Sequence, residues 1–200
     1  TGQDEEKGGA KSYRSSSSAI NFHNIPTRDF ERGRLIREAF IPSVDHCLIE
    51  VDFKAVEVSV AACYTKDPVL IHYLEDKKSD MHRDTAIKLF LVTPDQVDKK
   101  TLRDSSKNMF VFPQFYGSVY FQCAPAIWEA MERRHFKVGD ISVREHLAER
   151  GITELGKCDS KQRPVRGTFE YLVREVEQDF WNNRFKVYTE WKEEWYKKYL

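Results

Sequence analysis

Residues 47–53 run Cys-Leu-Ile-Glu-Val-Asp-Phe, an alternation that places Cys47, Ile49, Val51 and Phe53 on one face and Leu48, Glu50 and Asp52 on the other. That is the pattern of a strand. At Val56 the periodicity becomes helical and holds to Tyr64. A strand that hands over at once to a helix leaves Asp52 at the junction, where a carboxylate is presented rather than lost in a ladder.

Helical spacing predicts most of the chain beyond Tyr64. Asp67-Pro68 opens a helix through Glu75, with Pro in the first turn, where its missing N–H costs nothing. Asp80 to Leu91 is a second helix, with His82, Ala86, Leu89 and Phe90 near one face. Thr93-Pro94-Asp95-Gln96 carries a capping signature. A basic helix is expected over about 101–112, with Pro113 kinking or ending it, because proline removes a donor and crowds the preceding turn. Residues 125–167 are charged and predicted irregular, apart from a helix over 142–149 and a basic turn, Lys161-Gln162-Arg163-Pro164-Val165-Arg166. Phe169, Leu172, Val173, Val176 and Phe180 then recur at helical spacing, and Trp181, Phe185, Tyr188 and Trp195 extend the apolar stripe. Residues 1–18, rich in Gly, Ser and Lys, read as a tail or polar loop. The stripe reaches Tyr199-Leu200 with no capping residue, the expectation for a piece of a longer chain.

The 200 residues, 40% apolar, suffice for one domain or two intimate subdomains. Lys and Arg balance Asp and Glu at 32 each, so no global field draws this chain to a polyanion, and such a role must rest on local patches. Cys47, Cys63, Cys123 and Cys158 lie too far apart for metal-ligand spacing, which predicts reduced thiols. No stretch has the apolar length of a membrane span, so the expected setting is the cytoplasm, with no membrane partner.

Arg103 and Lys107 lie one helical turn apart and project the same way. Two cations so placed can neutralise the outer phosphates of a nucleotide, and His82 can add a donor from a neighbouring helix. Asp52 is suited to Mg²⁺, which takes oxygen ligands and bridges carboxylates to phosphates. Taken singly, a strand-end Asp is commonly a cap, an Arg/Lys pair a solvated face, and a lone His a structural one. It is their order and spacing that raise the functional reading.

In that order the chain resembles the polymerase region of family A DNA polymerases, the DNA polymerase I group. Residues 14–28, Arg-Ser-Ser-Ser-Ser-Ala-Ile-Asn-Phe-His-Asn-Ile-Pro-Thr-Arg, are similar to that family's RLSSSxPNLQNIPxR segment. Residues 33–40 resemble its GRxIRxAF strand, Asp52 to Glu57 its DYSQIE, and Asp80 to Ala86 its DIHTxTA. Arg103 to Gly117 resembles R-x3-K-x7-YG. The resemblance implies an α+β fold, with a partial palm, an antiparallel sheet, and the start of the fingers over 1–92. It also implies mostly helical fingers over 93–200, with a divergent insertion at about 119–167.

It further implies template-directed DNA synthesis, as in DNA replication, on primer-template DNA and dNTP, with two Mg²⁺ ions in the intact enzyme. Asp52 and the carbonyl of Phe53 would ligate metal. Arg103, Lys107 and His82 would hold the triphosphate, and Glu57 would lie under the incoming sugar. Tyr116 would pack near the templating base, with Gly117 allowing close approach. Arg14, Asn21, His23, Asn24 and Arg28 would contact DNA, mostly its backbone, which fixes position rather than sequence.

The chain also departs from the pattern. Lys54 and Ala55 replace Ser and Gln, and Tyr116-Gly117 arrives one residue late counted from Lys107. Strict register then puts Val111 where an aromatic ring should stack on the nucleotide. A bulge at Pro113 would let Phe112 take that place, as in a divergent, phage-like branch. The family's His-Asp-Glu motif, with its second metal-binding Asp, is not found, so little synthesis is expected of this portion without the remainder of the polymerase. Two other readings stand beside this one: a catalytically silent nucleic-acid or nucleotide-binding module, which needs Arg14, Arg103 and Lys107 but not Asp52, and a helix-rich interaction domain.

Overall fold

The structure, a computed structural model, describes residue 25 and residues 30–53 and 55–199. Two compact units meet in sequence between Phe53 and Lys54.

In the first unit Phe30–Glu38 forms a helix, with Arg34 Nε 2.5 Å from Glu38 Oε1 one turn on. Residues 33–40 resemble a strand in the family pattern, and here most of them are helical. No ladder partner for them exists among the described residues, so the backbone satisfies its polar groups locally. Residues 47–53, expected as a strand, form no strand or helix. Their apolar face stays in water, with Ile49 80%, Val51 83% and Phe53 78% exposed. The alternation was sound, but a strand also needs a neighbour to accept its N–H groups.

The second unit is helical. Val56–Thr65, Pro68–Glu75 and Met81–Phe90 come in quick succession. Asp67 caps the second of these, accepting from Val69 N and Leu70 N, and Asp80 caps the third, accepting from His82 N and Arg83 N. Thr93-Pro94-Asp95-Gln96 makes only a single 3₁₀ turn. The basic helix begins at Lys99, with Asp98 as its cap, and stays helical over 99–115. It passes through Pro113 instead of ending there. Two π turns, Lys99–Arg103 and Lys107–Val111, interrupt it, and the second closes with Phe112 N–H on Lys107 O. By lifting the hydrogen bonding to i→i−5 just ahead of Pro113, this turn accommodates a residue that cannot donate and whose ring crowds an ordinary helical turn.

Residues 125–133, expected to be irregular, belong to the helix Tyr120–Arg133, which holds Pro125 within it. The sheet among the described residues is a two-stranded hairpin, Lys137–Val138 against Ile141–Ser142, turning at Gly139 with φ 61°. The described residues are therefore mostly helical with a small antiparallel sheet, and that sheet falls within 119–167, not in the segment expected to form a palm. Val143–Ala148 comes next, capped by Ser142, whose hydroxyl accepts from Glu145 N.

Phe169–Gln178 buries Phe169, Val173 and Val176 as the periodicity predicts. A π turn, Asp179–Arg184, carries the chain into Lys186–Tyr199. That turn rotates Phe180 and Phe185 into one aromatic cluster, with centroids 4.7 Å apart, joined edge-on by Phe110 at 5.6 Å and by Phe115 at 6.0 Å. The cluster, with Leu89, Leu102, Ile127 and Leu147, fastens the 99–115 helix into the core.

Candidate phosphate-binding site

Asp80 organises the site. One of its oxygens caps the Met81–Phe90 helix, and the other accepts Arg103 Nε at 2.6 Å from the facing helix. Burial pushes the Asp80 carboxyl up, but the Arg103 hydrogen bond and the backbone N–H of Arg83 outweigh it and hold the group below its usual value of 3.8. Arginine has five N–H donors in a fixed fork, so engaging Nε orients the guanidinium while its terminal nitrogens keep their donors.

Residues 104–106 are α-helical, so Lys107 rises from the same side one turn later. Ser106 Oγ donates to His82 O at 2.7 Å, a second clasp between the two helices. The His82 ring lies edge-on to Phe112, with centroids 5.8 Å apart, and Lys107 Nζ stands 5.2 Å from the centre of the same ring. Burial, then the charges of Arg103 and Lys107, bring the His82 imidazole down to about 4. It is neutral near pH 7, so it can offer a hydrogen bond but no charge. Its Nδ1 is buried without a partner among the described residues.

Arg103, Lys107, His82 and Phe112 thus converge, and Asp80 and Ser106 hold them there. Of the three neighbouring candidates for the aromatic position, Phe110 and Val111 are fully buried in the core, while Phe112 is half-exposed beside the cations. Sequence reasoning did not assign Asp80 or Ser106. The Asp80 signal was an N-cap residue ahead of a helical run, but nothing in its spacing announced a cross-helix arginine. Glu57 and Tyr116 also meet: Tyr116 Oη donates to Glu57 Oε1 at 2.9 Å. Gly117, at φ 90°, takes the chain out of the helix in a conformation that side chains disfavour.

Asp52 and Phe53 belong to the first unit, and both are exposed. Arg14, Asn21, His23, Asn24 and Arg28 lie outside the described residues. No group of three or more His, Cys, Asp or Glu suited to a metal ion occurs among the described residues. One carboxylate does not make a divalent-ion shell. Nor is any helix among these residues long and apolar enough to cross a membrane.

Residues 6–132, more than half of the chain, match DNA polymerase family A. The chain belongs to that family. It is 38% identical to a DNA polymerase I of Streptococcus pneumoniae serotype 4 over 178 residues, 78% of this chain and 20% of that protein. It is 39% identical to a DNA polymerase I of Borreliella burgdorferi over 77 residues, 38% of this chain and 8% of that one. A DNA polymerase I of Bacillus subtilis is 38% identical over 93 residues, 46% of this chain and 10% of that protein. The chain thus spans a fifth or less of each of these relatives, and the convergent cations of the 81–90 and 99–115 helices fall inside the family match.

Proposed function

We propose that this chain is the nucleotide-gripping portion of a template-directed DNA polymerase that transfers a nucleotidyl group from dNTP to a primer 3′-hydroxyl. One observation carries the reading. Lys107 Nζ stands over the Phe112 ring, the His82 ring lies edge-on to that same ring, and Asp80, two residues before His82, holds Arg103. In this reading Lys107 and the free end of the Arg103 fork take the β and γ phosphates and offset the charge that develops on leaving pyrophosphate. His82 donates a hydrogen bond to a phosphate oxygen, Phe112 supports the base, and Glu57, held by Tyr116, lies beneath the sugar.

On the family pattern, Asp52 and the Phe53 carbonyl would contribute oxygen donors to a Mg²⁺ shell. Arg14, Asn21, His23, Asn24 and Arg28 are assigned to primer-template DNA on the family pattern. Residues 1–92 would supply the palm and the start of the fingers, residues 93–200 the rest of the fingers, and the setting would be the cytoplasm. The chain alone is expected to bind nucleotide with little synthesis.

The test is equilibrium binding of dATP to the 200-residue chain. Arg103→Ala and Lys107→Ala should each weaken it about tenfold, some 1.4 kcal/mol. Affinities within twofold of the parent in both variants would remove the phosphate assignment. Primer extension by the full polymerase reading frame, with and without Asp52→Ala, tests the catalytic half. Equal activity in the two would refute it.

A further inference from the structure

The basic turn has no part in the nucleotide site, and it lies outside the family match. It belongs to loop 155–167, whose ends are fastened together. Glu154 and Thr168 form a parallel bridge, Phe169 N donates to Glu154 O at 2.8 Å, and Glu170 N donates to Leu155 O at 2.7 Å. Inside the loop, buried Glu170 accepts Cys158 N at 3.0 Å, and Gly156 packs so closely that an added Cβ would stand 2.7 Å from Glu170 Oε2. Each carboxylate oxygen of Asp159, the loop's one acid, accepts a hydrogen bond within the turn, from Lys161 N at 2.9 Å and Gln162 Nε2 at 3.0 Å. Lys157 Nζ donates to Gln162 Oε1, a neutral group, at 2.8 Å.

The result is a pre-shaped loop from which Lys161, Arg163 and Arg166 project exposed, with no ion pair among the described residues. In a chain whose total charge is zero, four cations, Lys157, Lys161, Arg163 and Arg166, against the single carboxylate of Asp159 make this anchored loop a local excess of positive charge. A tail of cations would pay in entropy to be ordered on a ligand. Here that ordering has already been done by folding.

We propose that loop 155–167 docks the sugar-phosphate backbone of duplex DNA. Only the identity of the polyanion rests on the polymerase reading. The loop has no aromatic residue on which an unstacked base could lie, which favours regular backbone over single strands. The contact would position DNA without reading its sequence.

The test is the binding of a fluorescent blunt duplex to the 200-residue chain over a range of salt. Comparison is made with Lys161→Gln/Arg163→Gln/Arg166→Gln and with the charge-conserving Arg163→Lys/Arg166→Lys. The Gln variant should unfold at the parent's temperature, bind more weakly at low salt, and show a slope of log affinity against log salt shallower by about 2–3, one per lost phosphate contact. The Lys variant should keep the parent's slope. An unchanged slope in the Gln variant, or poly-glutamate bound as tightly as DNA, would overturn the proposal. The dATP measurement separates the two claims. Failure of Arg103→Ala to weaken nucleotide binding refutes the nucleotide site and leaves the loop standing, whereas an unchanged salt slope does the reverse.

Discussion

Gln114 offers the sharpest test of how the 99–115 helix is held. Its side chain is 2% exposed. Nε2 donates to Glu177 Oε1 at 2.6 Å, and Oε1 accepts Trp181 Nε1 at 2.6 Å. One amide therefore ties the end of the helix that carries Arg103, Lys107 and Phe112 to both the 169–178 helix and the π turn after it. Gln114→Met keeps the volume nearly constant and removes both bonds. An indole N–H left without a partner costs about 1–3 kcal/mol, and a lost bond to a charged carboxylate about 1.5–3. Glu177 is only half-buried, so water recovers part of its share, and we expect about 3 kcal/mol near pH 8.

The pH dependence gives the prediction its signature. Burial raises the Glu177 carboxyl, and the Gln114 hydrogen bond and the Tyr120 N–H partly pull it back. A raised folded value means that the native state keeps its proton where the unfolded chain has lost it, so this residue's contribution declines as pH climbs from the ordinary glutamate range to the raised value. Removing Gln114 raises that value further and stretches the decline upward. The penalty should therefore be larger at about pH 8 than at about pH 4, below the ordinary glutamate value, where protonation of Glu177 relieves it to about 1–2 kcal/mol. Urea unfolding followed by tryptophan fluorescence at both pH values measures it. A penalty below about 1 kcal/mol, equal at the two, would show that the network does not anchor the helix.

Other residues give simpler tests. Asp67 is buried and caps the 68–75 helix with one oxygen while its other oxygen accepts Tyr188 N at 3.0 Å, so Asp67→Ala should cost about 2–4 kcal/mol in denaturant melts. Asp80→Asn keeps the helix cap but weakens the Arg103 tether, by about 1 kcal/mol at neutral pH. Because the Asp80 carboxyl is held below 3.8, its contribution is present above that value and lost as pH falls through the lowered one; unfolding curves of parent and variant should converge in acid. Gly156→Ala must fit a Cβ 2.7 Å from Glu170 Oε2 at φ 99°, and should lower stability by about 1–3 kcal/mol in thermal melts.

Much of the second unit was legible because its signals are local. Asp67-Pro68 and Asp80 announce helix starts through side chains that reach N–H groups two and three residues on, and the stripe from Phe169 to Val176 announces a buried face. The grouping of Arg103, Lys107 and His82 was legible as a one-turn spacing plus a neighbouring helix. Asp80 as the brace of Arg103 was not, because that contact spans 23 positions and obeys no period. The strand expected over 47–53 failed for a related reason: alternation describes what a strand could bury, while pairing depends on another segment. The helix from Tyr120 was hidden by Pro125 and by charge, although the hydrophobic contacts of Cys123, Ile127 and Met131 hold it.

The extra residue between Lys107 and Tyr116 shows how such a departure is absorbed. An insertion in a plain α-helix turns everything beyond it by about a hundred degrees, which would bury the cations or expose the core. A π turn takes up one residue within a single turn and so confines the change. Here it lies between Lys107 and Phe112. Upstream, Arg103 and Lys107 keep their shared face. Downstream, Gln114 and Phe115 still reach Trp181, and Tyr116 still reaches Glu57. The residue turned toward the cations is then Phe112, while Val111, which strict counting would place there, goes into the core. Proline at 113 suits this arrangement because the turn before it has already given up the ordinary hydrogen-bond register. Counted against the family pattern, the late Tyr-Gly and the aromatic at 112 both follow directly on this one π turn.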